Sequence, residues 1–166
     1  MLLVVFINKS DQCSLVLGRK LPSYMYGEGF AKIFTRNEVK GLERCKQEET
    51  IPKLKEIATV FDSLLISFGL RLFPPSIYRD LIKMYYDCKD NIVFLKKLKG
   101  SKTWVIQNKK LSFTNYRIAD AGVFIIQSKD LIESKAKTFN QLLLELIEKG
   151  KLKYRFVNYW ILTNKR

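Results

Sequence analysis

The chain has 166 residues, 47% of them apolar, and carries 30 Lys plus Arg against 16 Asp plus Glu, a formal net charge of +14. That is enough chain for one ordinary domain with a real core, and the surplus of cations attracts a polyanion, with nucleic acid the default partner. Histidine is absent, which excludes Ser-His and Cys-His nucleophile pairs and most zinc sites.

The apolar run Leu2–Ile7 and a second at Ser14–Leu17 flank "NKSDQC", whose Asn8, Ser10 and Asp11 suit a turn, so the chain is expected to open with a β-hairpin. The start "MLLVVFI" is too short for a membrane span or signal peptide, and no membrane is expected. From Lys20 to Thr50 the glycines, Pro22 and a polar stretch predict a loop-rich extension with a short helix. Cys13, Cys45 and Cys88 form neither a CxxC site nor a disulfide framework, which points to a reducing compartment.

Thr50 as N-cap and Pro52 in the first turn open a helix, and Leu54, Ile57, Ala58, Phe61, Leu64, Leu65 and Phe68 continue at helical spacing to Gly69. After "LRLFPPS", Ser76 opens a second helix through Ile77, Leu81, Ile82, Tyr85 and Tyr86. Beyond Asp90 the pattern turns to short strands: Ile92–Leu98, Thr103–Gln107, Tyr116–Ile118 and the buried run Gly122–Gln127. Thr138 caps a last helix with Phe139, Leu142, Leu143, Leu146 and Ile147 on one face, Gly150 ends it, and "KLKYRFVNYWIL" closes the chain as strand or hairpin. The expected class is α+β: an N-terminal hairpin and extension over 1–50, a helical subdomain over 51–90, and a mostly antiparallel, basic, β-rich region over 91–166.

Charge is segregated along this order. Residues 91–166 hold sixteen basic and five acidic side chains, whereas residues 1–50 hold eight and six. Such asymmetry favours a binding surface over a solubility device. The candidates are Lys96, Lys97 and Lys99 at the end of one strand, Ser101 and Lys102 in its turn, Lys109 and Lys110 further on, and Gln127, Ser128 and Lys129 where a buried strand ends. Hydroxyls and amides beside lysines suit phosphate and sugar contacts, as in shape readout of folded RNA.

Signs of catalysis are weak. No Walker A loop or GxGxxG occurs. Asp120 with Asp130 and Lys129, or Glu38 and Glu43, contain the carboxylates a metal-dependent nuclease needs, but turn capping and surface solvation explain each at less cost. Cys88 beside Lys89 has no partner base, and Trp104 and Trp160 can stack on bases or fill a core. The chain is expected to be no enzyme, with no cofactor and no small-molecule substrate.

The order "IVFLKKLKGSKTWVIQNKKL…GVFIIQSKDLI" resembles the small-subunit ribosomal protein eight family of bacterial type, through Ser101 and Lys102 in a first turn and Gly122, Ile125, Ile126, Ser128 and Lys129 in a later segment. Upstream, "FDSLLISFGLRLFPPSIYRDLIKMYY" is similar to that family's first helix, strand and second helix, so the likeness covers about Phe61 to Asn140. Thr103 stands where the family has a turn proline and Asp130 where it has a glycine. The resemblance implies a structural constituent of a ribosome, in a divergent organellar form such as a mitochondrial one. It would bind ribosomal RNA among neighbouring ribosomal proteins, with Ser128 and Lys129 on the RNA. Two alternatives stand beside it. One is a viral or plasmid DNA-binding protein with a winged helix over "TFNQLLLELIEKGKLKYRFVNYWIL". The other is a protein–protein adaptor using Tyr154, Phe156, Tyr159 and Trp160.

Overall fold

In a computed structural model of the chain, the residues described are 1–8, 15, 31–69, 76–97, 103–107, 110–114 and 118–157. The strands are β1 (Leu2–Ile7), β2 (Ala31–Thr35), β3 (Glu43–Arg44), β4 (Ser63–Phe68), β5 (Asn91–Lys97), β6 (Thr103–Gln107), β7 (Lys110–Thr114), β8 (Ile118–Gln127) and β9 (Leu152–Phe156). The helices are α1 (Thr50–Ala58), α2 (Ser76–Tyr85), α3 (Ser128–Glu133) and α4 (Phe139–Glu148), and a 3-10 turn at Gln47–Glu49 leads into α1. The class is α+β, as expected.

Seven strands make one mixed sheet in the order β3-β2-β1-β4-β8-β5-β9, and β6 with β7 form a separate two-stranded ribbon. β1 is parallel to both β2 and β4, and β5 is parallel to β9. β8 is antiparallel to its neighbours β4 and β5. The order explains the composition of the strands: β1 is buried at every position and β4 at all but its last, as parallel strands covered on both faces must be.

Two cores flank the sheet. Leu2, Val4, Phe6, Leu64, Ile66, Val93, Phe124 and Ile126 pack on one face beneath Ile51 and Leu54 of α1, Leu131 of α3 and Leu142 and Leu146 of α4. Leu3, Val5, Leu65, Ile92, Phe94, Val123 and Ile125 pack on the other beneath Ile77, Tyr78 and Leu81 of α2. Strand alternation sorts the residues between the two faces.

Three expectations differ from this architecture. The opening strand leaves no edge for a hairpin partner, since β2 and β4 run parallel to it on either side; of the expected partner segment Ser14–Leu17 only Leu15 is among the described residues. The helix begun at Thr50 ends at Ala58, and the apolar run that continued its spacing is strand β4. The last 76 residues are β-rich and mostly antiparallel in their own pairings, but they do not stand apart, because β8, β5 and β9 complete the sheet begun by β1.

Candidate functional site

The chain order β1-β2-β3 builds outward on one side of β1, and α1 then carries the chain back to place β4 on the other side. The order in which strands are added therefore reverses between β1 and β4, which stay parallel. In open sheets of this kind ligands bind at such a switch point, outside the carboxyl ends of the strands. Here the two strand ends are tied together: the Gly69 N–H donates to Phe6 O at 2.6 Å and the Arg36 N–H to Ile7 O at 3.0 Å.

Because β8 runs against β4 and β5, its amino end arrives at their carboxyl edge. Its register with β5 moves from Val93↔Phe124 to Leu95↔Asp120, a bulge centred on Gly122 with φ at 74°. The Gly122 N–H donates to Asp120 Oδ1 at 2.9 Å, so the bulge fixes the carboxylate of Asp120 at the edge. Phe68, Asp120, Gly122 and Phe124 then line a cavity of about 240 Å³, closed by Gln47 and by Thr138, Phe139 and Asn140 at the start of α4. Thr138 caps that helix by accepting from the Gln141 N–H.

The floor of the cavity is aromatic. The Phe139 ring lies 4.8 Å from Phe68 and 4.9 Å from Phe124, both edge-on, and Phe68 stacks on Phe6 at 5.5 Å. Above that stack the Arg36 guanidinium sits 4.4 Å from the Phe6 centroid and 6.0 Å from that of Phe68. Burial pulls the Arg36 guanidinium below its ordinary value, though arginine stays protonated; burial likewise pushes the neighbouring Cys45 thiol up. A flat apolar surface, a fixed carboxylate and amide and hydroxyl groups around one mouth make a small-molecule site of ordinary type.

The residues expected to bind nucleic acid do not meet here. Lys99, Ser101, Lys102 and Lys109 lie outside the described residues, and Lys97 and Lys110 are strand residues of β5 and β7. Lys96 is buried. Gln127 donates from Nε2 to Cys88 O at 3.1 Å and Asp90 O at 2.8 Å. Ser128 is 5% exposed and its hydroxyl donates to Phe61 O. Gln127 and Ser128 thus sit at the opposite, carboxyl end of β8, far along the strand from Asp120, and Lys129 follows in α3. Asp130 is not paired with Asp120: it accepts from Asn91 Nδ2 at 2.7 Å and from Lys151 Nζ at 3.1 Å.

No family model matches the chain, and no curated protein does. Solved structures do. A protein described as a glucose-1-phosphate thymidylyltransferase from Bacillus anthracis superposes with a TM-score of 0.60 at 12% identity, over 97% of this chain and 88% of that one. HddC from Yersinia pseudotuberculosis gives 0.55 at 11% identity, over 96% and 91%. The bifunctional IspDF from Campylobacter jejuni gives 0.54 at 16% identity, over 98% of this chain and 52% of that one. The chain thus shares its fold with these proteins, the first of them described as a thymidylyltransferase.

That fold overturns the likeness to ribosomal protein eight. The segment that carried it, Gly122 to Lys129, is an interior strand of a seven-stranded sheet and the turn after it, with Ile125 and Ile126 fully buried. The roles built on that likeness, a ribosomal constituent among ribosomal RNA and ribosomal proteins, fall with it. The winged helix falls as well: the apolar face of α4 is buried on the sheet, and β9 pairs in parallel with β5 instead of forming a wing. The adaptor reading rested on Tyr154 and Phe156, which are exposed on the edge strand β9, and on Tyr159 and Trp160, which lie outside the described residues; the neighbours are enzymes and not adaptors. The neighbours, one of them described as a glucose-1-phosphate thymidylyltransferase, also speak against the expectations of no enzyme and no small-molecule substrate. Among the described residues no helix is long and apolar enough to cross a membrane.

The sequence presents Asp120 only as half of a pair with Asp130. The signal that distinguishes it is the Gly two positions later, since an Asp side chain that accepts from the i+2 N–H beside a left-handed glycine marks a shaped turn. Arg36, Gln47 and Phe68 gave no sequence signal, because their meeting depends on the order of strands.

Proposed function

We propose that the chain is a nucleotidyltransferase-type enzyme that binds a nucleotide and a sugar phosphate at the carboxyl edge of its sheet. The observation that carries this reading is the position of the cavity: it opens beside the β1/β4 switch point, where an α/β sheet of this order takes its ligand. HddC supports the nucleotide, since it has been solved with GMP-PN, at a TM-score of 0.52 and 13% identity over 96% of this chain and 71% of that one. The protein from Bacillus anthracis supports the sugar phosphate through its description as a glucose-1-phosphate thymidylyltransferase.

The chemistry of the lining fits a sugar. Aromatic faces at Phe68 and Phe139 receive the C–H side of a ring, and Asp120, Gln47 and Asn140 supply acceptors and donors for hydroxyls. In nucleotidyl transfer a phosphate oxygen of the sugar phosphate attacks the α-phosphorus of a nucleoside triphosphate and pyrophosphate leaves. Among the described residues no three metal-ligating side chains cluster. Magnesium that arrives with phosphates needs only one or two protein carboxylates, and Asp120 is the acidic residue of the lining that would hold it. The ion would neutralise charge on the α-phosphate under attack and on the departing pyrophosphate.

The test is pyrophosphate release from a panel of nucleoside triphosphates with glucose 1-phosphate and magnesium. The reading requires release with one pair of substrates and its loss in Asp120→Asn. If no nucleotide or sugar phosphate raises the melting temperature and none is turned over, the reading is wrong.

A further inference from the structure

Arg36 is held in a way that a structural arginine does not need. It follows β2, and its backbone N–H is tied to Ile7 O at the carboxyl end of β1. Its guanidinium carbon lies over the Phe6 ring, 4.4 Å from the centroid, with the Phe68 ring at 6.0 Å. Every side-chain hydrogen bond it makes leaves from one nitrogen: Nη1 donates to Cys45 O at 3.3 Å, to Lys46 O at 3.3 Å and to Thr50 Oγ1 at 2.6 Å. Among the described residues Nε and Nη2 make none, and no carboxylate pairs with the cation.

Those two nitrogens share an edge of the planar guanidinium, and their N–H groups point the same way. That edge is the fork that receives two oxygens of a phosphate at once. Contact with the Phe6 ring and the three hydrogen bonds from Nη1 hold the side chain in place, so the ordering entropy of a long side chain has been met before any ligand arrives. The site lies one ring from the cavity, because Phe68 is both the aromatic neighbour of Arg36 and a wall of the cavity. Lys46, whose carbonyl Arg36 holds, precedes Gln47 in the same wall.

We propose that the Nε–Nη2 edge of Arg36 is a phosphate clamp, taking a phosphoryl group of the bound ligand in two parallel N–H···O bonds. The clamp rests on the reading of this edge of the sheet as the ligand site. The phosphoryl group belongs either to the nucleotide or to the sugar phosphate, and the chemistry of recognition is the same for both.

The experiment titrates the full chain and its Arg36→Lys variant by calorimetry with inorganic pyrophosphate, guanosine triphosphate and glucose 1-phosphate. Lysine keeps the charge and loses the fork. Affinity for the phosphorylated ligand should therefore fall about 10- to 100-fold, the worth of a pair of charge-assisted hydrogen bonds. A fall confined to guanosine triphosphate and pyrophosphate assigns the group to the nucleotide, and a fall confined to glucose 1-phosphate assigns it to the sugar phosphate. Equal affinities in both proteins for all three, or no binding of any of them, overturn the clamp. If Arg36→Lys does not fold, the Nε–H resonance of Arg36 in the wild-type chain decides: pyrophosphate, guanosine triphosphate or glucose 1-phosphate must shift it, and a signal that none of the three moves overturns the clamp. An Arg36→Lys variant that binds its ligands and transfers nucleotide as well as the wild type removes the clamp and keeps the proposed activity. A wild-type chain that binds pyrophosphate through Arg36 but turns over no substrate keeps the clamp and loses the activity.

Discussion

The backbone N–H of Gly122 and the carboxylate of Asp120 are joined at 2.9 Å across a bulge whose glycine has φ at 74°. A side chain at that position meets the left-handed penalty, about 1–2 kcal/mol. Gly122→Ala is expected to lower the melting temperature by about 2–8 °C and to weaken ligand binding together with it, because the bulge aims Asp120. Asp120→Asn should weaken binding with far less effect on melting. Thermal melts and ligand titrations of the two variants check this, and equal behaviour of the pair would refute the division of labour between carboxylate and bulge.

Asn91 is buried at the other end of β8, where it links four elements: Nδ2 donates to Asp130 Oδ2 at 2.7 Å and to Lys151 O at 3.1 Å, and Oδ1 accepts from the Gln127 N–H at 2.7 Å. Burial by itself would raise the Asp130 carboxyl, but the hydrogen bonds from Asn91 and Lys151 and the charges of Lys151 and Lys129 outweigh it, and the group lies below its ordinary value. A depressed carboxyl stabilises the fold above its unfolded value near 3.9 and loses that contribution as pH falls through the folded value. Urea midpoints should therefore drop below about pH 4, and Asp130→Asn should flatten that part of the profile.

Tyr78 is fully buried in α2, with its hydroxyl 3.0 Å from Ser67 Oγ, and Ser67 in turn donates to Gly69 O where β4 ends. With the Ser67 proton so used, the phenol is the donor of the pair. Tyr78→Phe removes that hydrogen bond and no ring, so about 0.5–1.5 kcal/mol is expected. A lower urea midpoint at unchanged slope is the measurement.

Leu54 of α1 has no exposed surface and packs in the core against the sheet, whereas Lys53 beside it makes ion pairs of 3.6 Å and 3.4 Å with Glu43 and Glu56, both of which are substantially solvated. Leu54→Ala is expected to cost about 2–5 kcal/mol through lost burial and a cavity. Lys53→Ala should cost no more than about 1 kcal/mol, since exposed pairs are screened. Denaturant titration of both variants compares packing with surface charge in one helix.

The sequence yielded those elements whose period is unambiguous. α4 runs from Phe139 under its Thr138 cap, and Gly150 has φ at 66° just beyond it. α2 begins at Ser76, and β6 has its expected bounds Thr103–Gln107. β4 was hidden because Leu64, Leu65 and Phe68 continue the helical spacing of Leu54, Ile57 and Phe61, and a strand buried on both faces has no alternation to betray it. The site was hidden for a different reason. Gln47, Phe68, Asp120 and Phe139 are separated by most of the chain, and the order of strands gathers them, with β8 between β4 and β5 bringing Asp120 to the end of β4. Lysine enrichment reported real charge, but Lys96 is buried and Gln127 and Ser128 are spent on internal carbonyls. A count of cations carries no information about which of them face outward.

The place of β8 also governs how the chain can be made. β4 and β5 are both synthesised before it, yet they are not neighbours in the finished sheet, and every strand pairing between the two halves runs through residues 118–127. A nascent polypeptide that has emerged only to Thr114 holds the set β1 to β4 and, unjoined to it, the single sheet strand β5, each with an open apolar flank. Assembly therefore waits on late translation, and pairing across so much sequence is slow. Arrest before the eighth strand leaves a product that chaperones must shield.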